Sequence, residues 1–598
     1  MVMRKIYIIF VLMFAVLPLW ADEPYFYDGR GEKVTFSVRK DKVLLKYDSK
    51  SDAKTLQKQV AAKEIKLLRE DMAVADIDTT KAQLSAIRKI SSMQEATYML
   101  ESKSGTLMSP TGRLYVRCKN EISIDSILDD AGVSKKLISK ELYDINAQIY
   151  IVAFDEKPED RLPTAARLYE TGLCEFVEPS FLVLNTSESI VSQNIARSAT
   201  SSSANTTDYY PLQWGLKNTG QSLTSTISAT SGYDVGAEVA WEITKGSSSI
   251  KVAVVDNGIE ANHPDLAGKL LLGYNALLNE VGMNCTGPDY NLLKGSHGTN
   301  CAGIIAAADN GIGVVGIAPN CKIIPIKIYN EYSFYPTDII AGLRYACAEA
   351  DVISCSWSGA GNDPYFSPLI TALIDSAAVH GRNGKGCVVV FSAGNINSNG
   401  EAVRFPATLS STIAVGAISP SGQWYNGSCY GAELDVVAPG AIIWTTGLNG
   451  GYSSLDGTSF ACPFVSGIAA LVLSVDPLLT SQEVRYIIES TTRKITPPYG
   501  FYYHYENGRP YTWEQRMGYG LVQADNAVAL AQTFCERREY KNGVITTNTT
   551  VSDNDCIIEV QNFTVTNNAK LTLDARREIE INGPFEVTLG SELELMPE

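Results

Sequence analysis

Four short stretches carry residues that could do chemistry together. Asp256 ends the apolar run KVAVVD and is followed by Asn257-Gly258. His297 lies in Ser296-His297-Gly298-Thr299, just ahead of NCAGIIAA. Asn395 closes CVVVFSAGN, and Ser459 sits in GTSFACP before the apolar run VSGIAALVLSV. A serine hydroxyl attacks a carbonyl when an imidazole takes its proton, a carboxylate holds the imidazole, and fixed donors receive the developing oxyanion. Singly, each residue has a plainer reading. Serine caps helices, Asp-Asn-Gly makes turns, Ala-Gly-Asn leaves a strand, and a histidine can sit at a helix start. Together they supply acid, base, amide and nucleophile, in the order Asp, His, Asn, Ser. The other serine-hydrolase pattern, G-x-S-x-G with its histidine after the serine, fits poorly. Ala461 stands where its last glycine would, and the one later histidine is His504, in FYYHYENG.

The elements that must position these residues are legible as well. Between residues 208 and 534, short and continuously apolar strands (IKVAVVD, KIIPIKIY, DVISCSWS, CVVVFSAG, TIAVGAIS) alternate with helical segments such as PTDIIAGLRYACAEA and SPLITALIDSAAVHG. Fully apolar strands alternating with helices predict an α/β fold, a mainly parallel sheet covered on both faces. Sites in such sheets form at the carboxyl ends of the strands, where Asp256 and Asn395 fall. The helix after Ser459 is predicted to run to Val475, with Pro477 stopping it. Thr480 and Glu483 then make a capping-box start for the next helix.

The remainder of the 598 residues divides by composition. Residues 1–21 pair Arg4 and Lys5 with the apolar IYIIFVLMFAVLPLW and end in Ala21, the order of a secretory signal peptide. Residues 22–190 mix strand-like and helical runs, an N-terminal α+β region. Residues 191–207 form a Ser/Thr/Asn-rich linker, within a polar stretch that begins near 186. Residues 535–598 show short alternating runs (KLTLDA, EIEING, FEVTLG, SELELM), a small all-β module. With 50 basic against 66 acidic residues, a net charge of −16, the chain lacks the basic face that nucleic acid requires. No later segment is expected to span a membrane, and the mature chain is expected to be secreted or extracytoplasmic, with cell-surface attachment left open. Of twelve cysteines, Cys535 and Cys556 are the expected pair, whereas Cys301 and Cys462 lie in apolar runs and are expected to be free. Four histidines and no HExxH motif give no zinc-protease pattern.

VVDNG, HGTNCAG, SAGN and GTSFACP resemble, in order and spacing, the signature blocks of the subtilisin-like serine proteases, the subtilases. QWGLKNTGQ, HPDL, GVVGIAP and GYGLVQADNAV resemble further landmarks, so the resemblance covers residues 208–534. It implies a subtilisin-like three-layer domain and a serine endopeptidase. Asp256 would orient His297, His297 would act as base, Ser459 as nucleophile, and Asn395 with the Ser459 N–H as the oxyanion hole. Phe460, Asn300 and Asn257 depart from the family's usual Met, His and Ser/Thr/Asp. The strand Ser356-Trp357-Ser358-Gly359 would pair with an extended protein or peptide substrate, with Trp357 either lining an apolar subsite or belonging to the core. Asp265 and the loop bearing Ala308, Asn310, Ile312 and Val314 resemble a structural calcium site, with an ordinary Asn-Gly turn as the plainer reading. His263 is expected to be structural, and His380 and His504 to lie at the surface. The N-terminal region would include an inhibitory prosegment, a partner of its own catalytic domain. A catalytically silent subtilase fold used for binding, and an adhesin whose tail carries the function, are the alternatives.

Overall fold

The computed structural model describes residues 23–184, 208–282, 296–329, 333–334, 336–358, 367–396, 401–495, 513–534 and 537–597, apart from short gaps at 29, 49–52, 70, 104, 120–121, 145–148, 554–556 and 576–577. The signal segment, the linker, His504, Cys535 and Cys556 lie outside the described residues. The chain divides into two compact units, Met1–Phe181 and Leu182–Glu598.

The first unit is α+β. Antiparallel strands Ser37–Tyr47, Ala62–Arg69, Met72–Ile77 and Met93–Glu101 close over Val43, Leu45, Tyr47 and Leu56. Strand Leu107–Cys118 continues the sheet and pairs with Ile149–Phe154, beside helices Ile124–Asp130 and Arg161–Glu170.

The second unit is built on eight strands: β1 (Lys251–Asp256), β2 (Gly273–Asn275), β3 (Glu280–Gly282), β4 (Lys322–Lys327), β5 (Val352–Cys355), β6 (Val388–Ser392), β7 (Ile413–Ile418) and β8 (Val436–Pro439). Their order is β3-β2-β4-β1-β5-β6-β7-β8, and every pairing is parallel except β2 with β3. β1 therefore lies where the order reverses, the place at which such sheets open a crevice beyond the strand ends. The helices are α1 (Ala237–Ile243), α2 (His297–Ala306), α3 (Pro336–Glu349), α4 (Pro368–Gly384), α5 (Thr458–Val475), α6 (Ser481–Ser490) and α7 (Ala524–Thr533). The capping box at α6 forms as the sequence predicts: Thr480 Oγ1 accepts the Glu483 N–H at 3.3 Å, and Glu483 Oε2 accepts the Thr480 N–H at 2.7 Å. Within this unit Val183 and Leu184 also pair, antiparallel, with Phe334 and Ser333.

One expectation needs correcting. By length and hydropathy α5 is long and apolar enough to cross a membrane, although no segment after the signal was expected to be. It is 89% buried, and packs on α2 and on β5, β6, β7 and β8 as the central helix of the domain. Cys301 and Cys462 are free and buried, as expected.

The tail is all-β, but its strands do not form hairpins. Arg537–Lys541, Ile557–Val565 and Glu578–Val587 stack in parallel, as do Thr549–Asp553, Lys570–Ala575 and Glu592–Pro597. Equivalent residues recur about 21 residues apart, so three rungs of a short solenoid bury Ile558, Val560, Leu571 and Leu573 between two sheets. Asn542, Asn562, Asn567 and Asn568 occupy left-handed corners, which asparagine tolerates better than other side-chain-bearing residues.

Candidate active site

β1 carries Asp256 to the crevice, where the carboxylate is 1% exposed. Its two oxygens lie 3.0 and 2.9 Å from His297 Nδ1. Oδ1 also accepts the Asn257 N–H at 2.7 Å and the Tyr329 hydroxyl at 2.9 Å. With Nδ1 donating to the carboxylate, Nε2 is the lone-pair end of the ring. Burial by itself pulls the imidazole pKa down, but the charge and hydrogen bond of Asp256 outweigh it, and the net shift is upward.

Local sequence explains why His297 stands there. It is the first residue of α2, and the Asn257 side chain accepts the next N–H, that of Gly298, at 3.0 Å. This joins the turn after β1 to the start of α2. A Cβ at Gly298 would come within 2.4 Å of the Gly258 carbonyl, so glycine is required. Phe460, fully buried, packs its ring 5.8 Å from the imidazole centroid. Asn300 donates to the Thr446 carbonyl and accepts from Ser296 Oγ, so it fastens α2 rather than facing the cleft.

Ser459 is the second residue of α5, where backbone N–H groups have no partner within the helix. Pro463, inside the same helix, cannot donate to the carbonyl four residues back, which is that of Ser459. Ser356 Oγ fills the gap, donating to that carbonyl at 2.8 Å, while Ser459 Oγ donates to the Ser356 carbonyl at 3.2 Å. The Cys301 thiol also reaches the Ser459 carbonyl, at 3.6 Å, and its sulfur lies within 4.8 Å of the facing Asp256 and His297 atoms. Desolvation raises the Cys301 pKa well above that of an ordinary thiol, so the group stays neutral.

Asn395 ends the turn Ala393-Gly394-Asn395 that follows β6. Its Oδ1 accepts the Thr458 N–H at 3.0 Å and the Thr458 hydroxyl at 3.1 Å, which leaves the Nδ2 amide as the donating end. The structure thus gathers Asp256, His297, Asn395 and Ser459 around the N-terminus of α5. Thr458, from the GTSFACP block, and Tyr329, which no local pattern in the sequence marks, join them.

Of the expected substrate strand, residues 356–358 are described. The Ser356 hydroxyl is engaged with Ser459, Ser358 is half-buried, and Gly359 lies outside the described residues. Trp357 does not line a subsite through its side chain. It is 5% exposed, its indole N–H donates to the Val255 carbonyl at 2.9 Å, and its ring meets Phe391 edge-on. The bulk of the indole makes it more useful beneath β1 than in the cleft.

Asp265 and the Ala308–Val314 loop come together. The buried Asp265 carboxylate accepts the Val314 N–H at 2.9 Å and Asn310 Nδ2 at 3.2 Å, and the Asn310 N–H bonds the Ala308 carbonyl. The Ile312 N–H bonds Asn310 Oδ1 at 3.2 Å. Desolvation raises the Asp265 pKa, although Val314 and Asn310 oppose it. The Asp265 carboxylate faces N–H donors, the Asn310 amide presenting Nδ2 to it, so for calcium the Asn310 amide would turn to bring its oxygen beside the carboxylate and the loop carbonyls, a hard-oxygen set. Asp208, bridged by its backbone to Gly313, brings a second carboxylate-bearing residue to this loop. His263 is structural, as expected: Nδ1 accepts the Asp265 N–H and Nε2 meets the Gly451 carbonyl. His380 is exposed, also as expected.

Comparison with known proteins agrees with this geometry. The profile described as "Subtilase family" matches residues 247–520. Subtilisin DY from Bacillus licheniformis is 37% identical over 260 residues, 43% of this chain and 87% of that protein. Thermitase from Thermoactinomyces vulgaris is 37% identical over 267 residues, 44% of this chain and 87% of that protein. Subtilisin NAT from Bacillus subtilis subsp. natto is 39% identical over 252 residues, but the match spans 60% of its length. Among solved structures, fervidolysin from Fervidobacterium pennivorans, described as a keratinolytic enzyme related to subtilisin, superposes with a TM-score of 0.50 at 26% identity, over 71% of this chain and 61% of its own. The chain belongs to the subtilase family.

Proposed function

We propose that this chain is a serine endopeptidase that hydrolyses peptide bonds through an acyl-enzyme on Ser459, and that it is exported as a precursor which it processes itself. One observation carries the reading: the His297 ring is held by both oxygens of a buried Asp256 beside the helix start that bears Ser459. For attack, the Ser459 hydroxyl turns from the Ser356 carbonyl toward His297 Nε2, an adjustment of the kind that catalytic groups make when substrate binds. His297 takes the proton, Oγ bonds the scissile carbonyl carbon, and the oxyanion is received by Asn395 Nδ2 and the Ser459 N–H. His297 then returns the proton to the leaving amine, and water repeats the cycle to release the acid. The substrate lies extended along the backbone of residues 356–358, held by strand addition. Calcium held by Asp265 and the 308–314 loop would neutralise a buried carboxylate and stiffen this side of the domain.

A fluorophosphonate probe tests the reading directly. Labelling of the mature wild type at Ser459, abolished in Ser459→Ala, is expected. A folded mature protein that neither labels nor cleaves a mixed peptide library is the outcome expected of a subtilase fold used only for binding.

A further inference from the structure

We propose that Arg404 is a positioning residue for the oxyanion donor Asn395, a role that rests on the peptidase reading above. Asn395 can stabilise an oxyanion only if its Nδ2 is aimed before the charge develops, and aiming it requires both ends of the residue to be fixed. Thr458 fixes the side-chain end through two hydrogen bonds to Oδ1. The main-chain end is fixed by Arg404, whose Nη2 donates to the Asn395 carbonyl at 2.7 Å. The Arg404 N–H also bonds the Ala393 carbonyl at 3.0 Å, so one residue grips both ends of the turn Ala393-Gly394-Asn395. The middle carbonyl, that of Gly394, accepts from the Cys429 N–H at 3.0 Å.

The packing shows that the grip is built into the turn. Gly394 has φ +101°, and a Cβ there would meet Arg404 Cδ at 2.9 Å and Nε at 3.3 Å. The arginine stem therefore lies across the bare face of the glycine. With 9% of its surface exposed, Arg404 is buried, and a charged donor in such surroundings makes a stronger bond than a neutral one. Lysine could supply the charge but not the flat guanidinium that reaches around the glycine. Nothing in VRFPATL marks this role, because the partner lies in a different block of sequence.

The test is a double-mutant cycle on a chromogenic peptide, using wild type, Arg404→Met, Arg404→Lys, Asn395→Ala and Asn395→Ala/Arg404→Met. A misaimed donor forfeits part of what its removal would cost, so Arg404→Met should lower kcat about 10- to 100-fold with KM nearly unchanged. Arg404→Lys should recover part of the loss. In the Asn395→Ala background, Arg404→Met should cost little more, because the residue through which Arg404 acts is already gone. Affinity for a peptide boronic acid, which mimics the tetrahedral state, should fall in parallel with kcat. Equal losses in both backgrounds, a rise in KM with kcat intact, or no effect of Asn395→Ala would each overturn the proposal. If Arg404→Met does not fold, Arg404→Gln and Arg404→Lys carry the same cycle. A wild type that labels with fluorophosphonate and cleaves peptide while all Arg404 variants match it removes the Arg404 role alone. An unlabelled, inactive wild type removes the peptidase reading beneath it.

Discussion

His297 is useful to catalysis only while neutral, and Asp256 raises its pKa even though burial opposes this. The sign follows directly. Below the folded-state pKa the imidazolium cannot accept the Ser459 proton, so activity falls as pH drops through that value, and the acid limb of kcat/KM should lie above about 6.5, the ordinary histidine value. Asp256→Asn removes the charge that raises the pKa and leaves the tautomer unfixed. The limb should move to lower pH, and kcat should fall about 10⁴-fold, the loss known for the equivalent change in a trypsin-type enzyme. A pH–rate profile of both proteins checks this, and an unmoved limb would mean that another group titrates. Asn395 acts on charge that exists only in the transition state, so Asn395→Ala should lower kcat with little change in KM. Loss of the corresponding donor in subtilisin costs about 10²–10³-fold, and that magnitude is carried over here. Steady-state kinetics with one peptide separates this from a binding role, which would raise KM instead. Asp256, His297, Asn395 and Ser459 were legible in sequence because each sits in a short block at an element end. Tyr329 and Arg404 were not, because each acts through a partner distant in sequence and stands in no pattern of its own; Thr458 lies within GTSFACP, but its role shows only through the distant Asn395.

At the scale of elements, the expected parallel sheet and the bounds of α5 and α6 were readable, since apolar strands, Pro477 and the Thr480–Glu483 pair are local signals. Trp357 stood between core and subsite because an aromatic beside a cleft strand looks the same in sequence whether it faces in or out; the hydrogen bond to Val255 decides for the core. The tail was read as β from its alternation, but its order came from a weak repeat: KNGVITTN, QNFTVTNN and NGPFEVTLG share corners of Asn and Gly and, in register, Thr546, Thr566 and Thr588 after a β-branched residue. The Asp265 loop makes a prediction at this scale. Its carboxylate is buried against backbone donors and an amide, and its pKa is raised by the cost of desolvating it. A calcium ion bound only to the folded state would stabilise it by about 2.7 kcal/mol at a free concentration a hundredfold above Kd. Chelation should therefore lower the thermal midpoint of the wild type, and Asp265→Ala should lose most of that calcium dependence. Scanning calorimetry with and without chelator measures both, and coincident wild-type curves would remove calcium from the loop.

Across the whole molecule the chain divides into two compact units, Met1–Phe181 and Leu182–Glu598, and the first is an α+β body with a core of its own. Our reading places an inhibitory prosegment within residues 22–190, and makes the polar residues 186–207 the place where the precursor is cut. The support is chemical. A segment tethered to the catalytic domain is presented at high effective concentration, so even a poor cleavage sequence would be processed faster in its own chain than by a second molecule. Val183 and Leu184, at the end of strand Cys174–Leu184, pair in antiparallel register with Phe334 and Ser333. Ser459→Ala should then accumulate as a precursor that retains residues 186–207, and added active enzyme should cut it there. First-order processing of dilute wild type, independent of concentration, would place the cut within one chain, whereas a rate rising with concentration would place it between chains. Purified Ser459→Ala that matures like wild type, with no other protease present, would show that this serine is not the agent. Ser459 would then keep only the structural role visible in its exchange of hydrogen bonds with Ser356.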